Sequence, residues 1–378
     1  MTDERQPIHS PVSSTREPEL NKYFIAAIKV QASDLHLKVG QPPKLRIHGE
    51  LKNTTGEVLT EERIEQLIFE ILSPEQKKFF LRNGTLDFAY EIKHQDRFRV
   101  NIFRQRSAIS LAARRISSSV PAFESLHLPA IIETISDTGQ GLVLVVGPTG
   151  CGKSTTIASV IDRINRTRSC HIVTIEDPIE YLFKDDKAII SQRAIGVDVQ
   201  DYQQALRYLM RQDPDVVLIG EMRDAETVQA AMRAAETGHL VFGTMHSANA
   251  SQSIQRLLDL FPPNERDLVR QTLALALRAI ISQILLPSIK EGISRVPAVE
   301  ILIANSVVRK LISEKREGDL PTVIRSSRNE GMQDFTDSLC ELITNGSIDP
   351  KEAYRYAPNL EELKMALKGI RTTASGIL

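Results

Sequence analysis

The sequence predicts an α/β protein with two folded domains, in which a small α+β domain precedes a larger domain built on a mostly parallel sheet. The 378-residue chain is long enough for two or more domains of about 150 residues each. Between residues 33 and 116, apolar and polar positions alternate in short segments, which is typical of antiparallel hairpins. From about residue 123, short apolar segments alternate with helical segments, which favours a parallel sheet with helices on both faces.

The small domain is predicted to cover residues 21–116. Its predicted elements are, in order, a helix from about residue 20, a hairpin at 33–47, a helix at 60–72, and strands around 86–92, 97–104 and 108–116. Residues 1–20 contain Pro, Ser, Thr and mixed charge with little to bury, so we expect a disordered tail. Residues 117–122, S-S-S-V-P-A, are predicted to be a linker.

The larger domain is predicted to cover residues 123–378 and to be mainly helical after about residue 251. Its predicted strands are 142–146, 171–175, 216–219, 240–244 and one near 296–303. Asp224 and Gly238 are suited to cap the two ends of the helix between the third and fourth strands. The apolar segment 273–287 is interrupted by Arg278, and we interpret it as a buried or partner-facing helix.

Composition and charge exclude several classes of protein. Lys and Arg total 47, Asp and Glu total 48, and the net charge is -1, unlike the basic domains that bind nucleic acid by bulk charge. No apolar run reaches the roughly 18 residues of a membrane span, and no apolar segment near the N-terminus suggests a signal peptide. Three scattered cysteines suit a reducing compartment and provide neither a disulfide framework nor a zinc site. We expect a cytoplasmic protein without an integral membrane segment.

Residues 147–154, G-P-T-G-C-G-K-S, match the phosphate-binding pattern G-x-x-x-x-G-K-[ST] between a buried strand and a helix. In such a loop, backbone N–H groups and the helix N-terminus face the phosphates. Lys153 would neutralise the outer phosphates, and Ser154 would offer its hydroxyl to Mg²⁺. Cys151 is interpreted as a small side chain that fits the loop, and the alternative is a redox-sensitive thiol. The predicted nucleotide site, for ATP and Mg²⁺, comprises Gly147, Pro148, Thr149, Gly150, Cys151, Gly152, Lys153, Ser154 and Thr155.

Carboxylates follow two of the predicted strands: Glu176, Asp177 and Glu180 follow one, and Glu221 follows the next. Ligands of open α/β sheets bind at the carboxyl ends of the strands. Glu221 is therefore placed to act beside Mg²⁺ and the attacking water, although Gly220 stands where many P-loop enzymes carry Asp. The alternative is that these carboxylates only cap helices.

His239 and His246 flank the strand predicted at 240–244. Their separation, roughly 23 Å at about 3.3 Å per residue, excludes a shared metal ion. His246 follows the carboxyl end of the strand and is placed to sense the γ-phosphate. His239 is interpreted equally well as a structural histidine.

Residues 97–102, R-F-R-V-N-I, alternate so that Arg97 and Arg99 share one face of a strand while the apolar residues face the core. Arg114 and Arg115 lie on the next predicted strand. Such a basic face is ordinarily solvated. The alternative is that these arginines reach the nucleotide of a neighbouring subunit as arginine fingers.

Together these segments resemble the secretion ATPase superfamily, and most closely the type IV pilus retraction ATPases, over about residues 21–345. The resemblance implies a PAS-like N-terminal domain, a RecA-like ATPase domain and a homohexameric ring. It also implies that ATP hydrolysis powers pilus disassembly, and hence twitching motility, through an inner-membrane platform protein at the cytoplasmic face of that membrane. A second retraction ATPase is a further candidate partner. The motifs that carry the resemblance are A-S-D-L-H-L (32–37), R-F-R-V-N (97–101), G-P-T-G-C-G-K-S-T-T (147–156), T-I-E-D-P-I-E-Y (174–181), D-P-D-V-V-L-I-G-E-M-R-D (213–224) and T-G-H-L-V-F-G-T-M-H (237–246).

The resemblance also implies roles for individual residues. Lys153 and Ser154 bind the phosphates and Mg²⁺, and either Glu180 or Glu221 activates water. We favour Glu180 as the base, with Glu221 supporting the metal and its waters. The match of the arginines favours the arginine-finger interpretation. The remaining assignments are Glu176 and Asp177 in an acidic box, His239 and His246 in a histidine box, and Arg97, Arg99 and Arg114 at a neighbour's nucleotide.

Several alternatives remain. Extension-type pilus ATPases and type II secretion ATPases normally add a four-cysteine zinc motif, for which three cysteines are too few. An accessory retraction ATPase stays open, although G-E-M-R-D and F-G-T-M-H favour the principal enzyme. A RecA-like DNA-handling motor is opposed by the near-zero net charge, and a non-hydrolysing scaffold by the intact Lys153, Ser154 and Glu221. The segment after about residue 346 extends past the typical retraction ATPase.

Overall fold

The computed structural model describes residues 17–47, 49–92, 96–116 and 119–370. These divide into two compact units: residues up to 119 together with 180–182 form the smaller one, and 120–179 with 183–370 form the larger one. Most of the tail predicted at 1–20, residues 117 and 118 of the predicted linker and the last eight residues lie outside the described residues. The predicted domain boundaries at 21, 116, 122 and 378 stay predictions.

The smaller unit contains three helices and six strands among the described residues. They are α1 (Asn21–Lys29), β1 (Asp34–Leu37), β2 (Lys44–Ile47), β3 (Glu50–Asn53), α2 (Glu61–Phe69), α3 (Pro74–Asn83), β4 (Thr85–Glu91), β5 (Arg97–Gln105) and β6 (Ala108–Ile116). The strands form one antiparallel sheet in the order β3-β2-β1-β6-β5-β4. The predicted hairpin, the helix near residue 60 and the three later strands are all confirmed.

Alternation along β5 determines which side chains enter the core of the smaller unit. Phe98, Val100 and Ile102 are fully buried, as the sequence predicts. They pack in one apolar cluster with Phe24 of α1, whose ring centroid lies 4.5 Å from that of Phe98. The opposite face of the strand therefore carries the arginines.

The larger unit contains eleven helices and seven strands in the part of the chain that the structure describes, besides short 3-10 turns. They are α4 (Ile131–Ser136), β7 (Gly141–Val146), α5 (Lys153–Thr167), β8 (His171–Glu176), β9 (Ile189–Ala194), α6 (Tyr202–Leu209), β10 (Val216–Ile219), α7 (Ala225–Glu236), β11 (Leu240–Met245), α8 (Ala250–Asp259), α9 (Arg266–Ala276), β12 (Leu277–Pro287), β13 (Arg295–Ile303), α10 (Ser306–Ser313), α11 (Leu320–Ser326), α12 (Phe335–Thr344), α13 (Pro350–Tyr356) and α14 (Leu360–Leu367).

The seven strands form one sheet in the order β13-β12-β7-β11-β10-β8-β9. All neighbours are parallel except β12 and β13. Every residue of β7 and of β11 is buried, because apolar clusters with helices cover both faces of the sheet. The predicted mostly parallel sheet with helices on both faces is confirmed.

The interpretation of residues 273–287 as a helix is wrong. Helix α9 ends at Ala276, and β12 begins at the next residue and pairs with β7. Ala279, Ile280 and Ile281 are all buried, so this strand is covered on both faces and shows no alternation. A short continuous apolar run of this kind does not distinguish a buried strand from a buried helix.

The caps predicted for α7 are confirmed. The Asp224 side chain accepts a hydrogen bond of 2.8 Å from the backbone N–H of Thr227. At the other end Gly238 follows the C-cap residue with φ of +103°, a conformation that glycine adopts without strain. These caps fix where α7 begins and where β11 can start.

The segment beyond residue 346 is folded. Helices α13 and α14 bury Ala353 and Leu363 in an apolar cluster with Leu286 of β12 and Val296 of β13. Arg325 of α11 also donates a 3.2 Å hydrogen bond to Glu362 of α14. The extension is therefore part of the larger unit and covers the end of its sheet.

Candidate active site

A glycine-rich loop joins the buried strand β7 to the N-terminus of α5. Gly147 and Gly152 have φ of +151° and +90°. A Cβ on Gly147 would lie 2.3 Å from the carbonyl oxygen of Gln283, so glycine is required there. Gly152 is the N-cap of α5, and the N–H groups at the start of the helix, which cannot bond to a preceding helical turn, therefore face the loop. This is the geometry of a phosphate-binding loop.

Lys153 begins α5 and turns its ammonium group back toward the loop. Its Nζ donates hydrogen bonds to the carbonyl oxygens of Gly147 at 2.9 Å and Pro148 at 3.0 Å. Ser154 and Thr155 follow on the same first turn and are half-buried. A cationic side chain and a hydroxyl group thus accompany the helix N-terminus, as the motif predicts.

Cys151 lies inside this loop and is buried. Burial raises the pKa of its thiol, against the opposing effect of the nearby Lys153 charge. A buried, protonated thiol is a poor nucleophile. The structure therefore favours the interpretation of Cys151 as a small side chain that fits the loop.

Three of the four predicted carboxylates lie at the same edge of the sheet as the loop. Glu176 ends β8 and Asp177 follows it, while Glu221 follows the neighbouring parallel strand β10. The Gly220 backbone N–H donates a 2.8 Å bond to the carbonyl oxygen of Ile175. A Cβ on Gly220 would lie only 3.2 Å from the Cα of Glu176. Glycine at 220 therefore lets the two acidic turns approach closely.

Glu221 lies between the guanidinium group of Arg223 and the imidazole ring of His246. Arg223 donates to its Oε2, and the His246 Nε2 lies 3.4 Å from its Oε1. The hydrogen bond from Arg223 lowers the pKa of Glu221, and the charges of Arg223, His246 and Lys153 add to that effect, while burial opposes it. Glu221 is thus an ionised carboxylate whose electrostatic environment includes the lysine of the loop.

Glu176 is a buried carboxylate with hydrogen-bond partners on two neighbouring strands of the sheet. Its Oε1 accepts hydrogen bonds from Thr174 at 2.7 Å and Gln192 at 3.4 Å. Asp177 is exposed. Glu180 is also exposed and belongs to the smaller unit. Within the larger unit, the site therefore combines the buried Glu176 with the exposed Asp177.

Tyr202, at the start of α6, is a site residue that sequence reasoning missed. Its hydroxyl lies 3.2 Å from the position that a Cβ on Gly220 would occupy. Burial raises its pKa, and the nearby Asp177, Glu176 and Glu221 raise it further. The sequence contains no pattern that distinguishes Tyr202 from an ordinary apolar residue of α6.

The two histidines lie at opposite edges of the sheet. His246 follows β11 and reaches Glu221, as described above. His239 precedes β11, whose first residue pairs with Gly141 at the start of β7, and its Nδ1 lies 2.9 Å from the carbonyl oxygen of Ala234. The length of β11, roughly 20 Å, therefore separates His239 from the edge that carries the loop. The assignment of His239 to a histidine box stays a prediction.

The predicted arginines share one face of the sheet in the smaller unit. Arg99 on β5 is directly opposite Arg114 on β6, and Arg97 lies two residues before Arg99. The Nε of Arg114 donates a 3.0 Å bond to the buried Asp34, although 73% of the Arg114 side chain is exposed. Arg46 Nε lies 3.5 Å from the same carboxylate. The guanidinium of Arg114 is thus anchored at one nitrogen and open elsewhere.

A cavity of about 630 Å³ in the larger unit adjoins the loop. Its lining includes Pro148 of the loop, His246, Glu300, Arg325 and Tyr356. Glu300 is buried on β13 and accepts a 2.7 Å bond from the Ala250 backbone N–H at the start of α8. The C-terminal extension therefore contributes to the surroundings of the site.

Within the part of the chain that the structure describes, no cluster of three or more His, Cys, Asp or Glu side chains could hold a metal ion by itself. The oxygen donors beside the loop, Ser154 and Glu221, are of the kind that Mg²⁺ prefers, and this ion usually takes only one or two protein ligands together with phosphates. No helix among the described residues is long and apolar enough to cross a bilayer.

A parallel sheet, a phosphate loop at a helix N-terminus and carboxylates at the same edge define an ATPase of the P-loop class, here with a RecA-like domain. A family model described as "Type II/IV secretion system protein" matches residues 122–310. The chain belongs to this family.

Comparison with individual proteins identifies relatives of the same kind as the sequence motifs suggest. The chain is 39% identical over 339 residues to the type IV pilus retraction ATPase PilT of Pseudomonas aeruginosa, covering 90% of this chain and 98% of that protein. It is 40% identical over 321 residues to a twitching motility protein of Neisseria gonorrhoeae, covering 85% and 86%. A crystal structure of the pilus retraction motor PilT with bound ADP superposes with a TM-score of 0.83 at 42% identity, covering 92% of this chain and 99% of that one. The resemblance inferred from the sequence is confirmed.

Proposed function

We propose that this chain hydrolyses ATP at the loop between β7 and α5 and uses the energy to power type IV pilus retraction. The observation that carries the proposal is the common edge of the sheet at which the loop, Lys153, Glu176 and Glu221 converge. Pilus retraction and twitching motility are named for relatives that the chain matches over 85% or more of its length.

The triphosphate would bind along the loop. Backbone N–H groups of the loop and of the first turn of α5 face the phosphates, and Lys153 compensates their charge. Ser154 and Glu221 would hold Mg²⁺. When bound, this ion would supply positive charge against the negative charge that develops on the phosphates.

The carboxylates are proposed to have two different roles, as the general base and as the group that holds the cation and orients water. A general base acts best when its pKa lies near the working pH, and the pKa of Glu221 is instead lowered by Arg223. Glu221 is therefore better suited to hold a cation and orient water, and Glu180 is the proposed base. Glu176, fixed by Thr174, and Asp177 shape the acidic box around them, with His246 beside Glu221.

The active unit is proposed to be a homohexameric ring in which the small domain of one subunit completes the site of the next. Arg97, Arg99 and Arg114 share one face of the sheet, on which Arg99 and Arg114 are exposed, and their charge suits a neighbour's triphosphate. Hydrolysis would reorient the domains, 21–116 and 123–378, about the linker 117–122. The ring would act on an inner-membrane platform protein from the cytoplasmic side, with a second retraction ATPase as a further partner.

The first experiment measures ATPase rate against protein concentration, with mass determined by light scattering in the same samples. We expect the specific activity to rise as a mass near six subunits appears. A monomer that hydrolyses ATP at the full rate would exclude sites shared between subunits. Lys153→Ala is the reference for loss of the phosphate site, and Lys290→Ala, on the turn between β12 and β13, is its matched control.

A further inference from the structure

Gln283 on β12 lies against the phosphate loop, although it is 127 or more residues away in the sequence. Its side chain is buried at 3% exposure. The amide Nε2 donates a 2.6 Å hydrogen bond to the carbonyl oxygen of Cys151. The amide Oε1 accepts a 2.8 Å bond from the hydroxyl of Thr156. One side chain thus connects the loop with the first turn of α5.

The backbone of Gln283 and its side chain also limit the space at both ends of the loop. A Cβ on Gly147 would lie 2.3 Å from the Gln283 carbonyl oxygen. A Cβ on Gly152 would lie 2.9 Å from the Gln283 Nε2. The loop therefore begins and ends in contact with this one residue.

Burial makes these contacts energetically important. Cys151 and Thr156 are themselves buried, and a buried polar group that loses its partner pays its desolvation cost without compensation. The two partners require opposite hydrogen-bonding groups, a donor for the carbonyl and an acceptor for the hydroxyl. Among side chains of this length, only a carboxamide offers both at every pH.

We propose that Gln283 is a positioning residue for ATP hydrolysis, which holds the phosphate loop and the first turn of α5 in the arrangement that receives the phosphates. The proposal rests on the proposed role of the loop in binding ATP. Gln283 acts through Cys151 and Thr156 and does not need to touch the nucleotide.

The test compares full-length Gln283→Leu and Thr156→Val with the wild type. Affinity is measured with a fluorescent ADP analogue in the presence of Mg²⁺, and turnover by phosphate release. Gln283→Leu should weaken nucleotide binding and lower kcat/KM by roughly tenfold to a hundredfold, because it removes both hydrogen bonds. Thr156→Val, which removes one, should have a smaller effect in the same direction. Gln271→Leu, at an exposed position of α9, is the matched control and should change neither quantity.

Gln283→Glu provides a readout that general loss of packing would not produce. When the introduced carboxyl group is ionised, it would still accept from Thr156 but would place an acceptor against the Cys151 carbonyl. When it is protonated, it donates to that carbonyl, as the amide does. The activity of Gln283→Glu relative to the wild type should therefore recover as the pH falls.

Two outcomes would overturn the proposal. One is a folded Gln283→Leu with wild-type affinity and turnover. The other, which applies if that variant does not fold, is unchanged nucleotide affinity in Thr156→Val together with a pH-independent activity ratio for Gln283→Glu. Lys153→Ala measured in parallel separates the two proposals: if it too binds nucleotide normally, the proposed phosphate site itself fails.

Discussion

Glu221 owes its chemistry to its immediate neighbours. Arg223 binds one of its oxygens and His246 lies near the other, so the carboxylate stays ionised well below neutral pH. An ionised carboxylate with a lowered pKa attracts a cation and accepts hydrogen bonds from water, but it removes protons poorly. The residue thus suits the metal-supporting role.

Glu221→Gln should retain ATP binding and lose turnover. The amide keeps the size of the side chain but not the charge that would hold Mg²⁺ and orient water, so we expect kcat to fall by on the order of 10²-fold or more. Affinity is measured with a fluorescent ATP analogue and turnover by phosphate release. Glu236→Gln, at the exposed end of α7, serves as the control. An equal loss of binding and turnover would contradict the assigned role.

Glu300 is a second carboxylate with an unusual environment. Burial raises its pKa from 4.5 to about 7, although the hydrogen bond from Ala250 opposes this shift. Below pH 4.5 the side chain is protonated in both the folded and the unfolded protein. Between pH 4.5 and 7 only the folded protein keeps the proton, so the stability that Glu300 contributes falls as the pH rises through this range.

Glu300→Gln should therefore be more stable than the wild type at about pH 8, and this advantage should shrink toward about pH 5. At about 1.36 kcal/mol per pKa unit, the change across the range is on the order of 3 kcal/mol. The measurement is the difference in unfolding free energy between variant and wild type, from urea unfolding at several pH values. Glu291→Gln, at an exposed position, should show no such trend. A difference that is independent of pH would contradict the assignment.

At the scale of elements, the sequence was informative wherever periodicity was clear. Strand β5 was predicted from its alternation, and strands β8 and β10 were predicted from short apolar runs that end at acidic turns, all with nearly correct bounds. Strand β12 was not predicted, because its apolar run follows α9 directly, with no turn residue between the helix and the strand. Strand β3 was missed because all four of its residues are exposed.

Helix α3 could have been predicted from its capping residues. The Ser73 side chain accepts from the Gln76 backbone N–H, and the Gln76 side chain accepts in return from the Ser73 backbone N–H. This is the S-x-x-Q capping box, with proline at the first helical position. The signal was present in the sequence, but the polar character of the helix obscured it.

In the candidate site, too, some residues could be predicted from a local sequence pattern and others could not. The loop residues and Glu221 were predictable because they form a local motif or directly follow a strand. Gln283 and Tyr202 were not, because their importance depends on tertiary contacts with Cys151, Thr156 and Gly220. A residue that acts across such a sequence separation carries no local pattern.

We expect the C-terminal helices to stabilise the larger unit. Leu363 of α14 is fully buried against β12, β13 and α12. Leu363→Ala should therefore lower the free energy of unfolding by about 2–5 kcal/mol and reduce Tm by several degrees. Leu360→Ala, on the same helix but 38% exposed, should have a much smaller effect. Equal Tm values for both variants, measured by calorimetry, would show that the extension does not stabilise the larger unit.

At the scale of the whole molecule, the arginine face predicts behaviour that depends on assembly. Arg114→Ala should leave nucleotide binding by the isolated chain unchanged and lower kcat of the ring by on the order of 10³-fold, as for other arginine fingers. Turnover is measured on fractions whose mass is known from light scattering. Arg82→Ala, at an exposed position of α3, is the matched control. Unchanged turnover of the Arg114→Ala hexamer would exclude the cross-subunit role.

The four neighbouring strands β7, β11, β10 and β8 carry the loop, His246, Glu221 and Glu176 on one edge of a single sheet. Strands in a sheet lie about 4.8 Å apart, so backbone hydrogen bonds determine the lateral spacing of these groups. The helices and turns at the opposite edge have no part in that spacing. Loops at the opposite ends of these strands can therefore differ in sequence and length without displacing the four groups from one another.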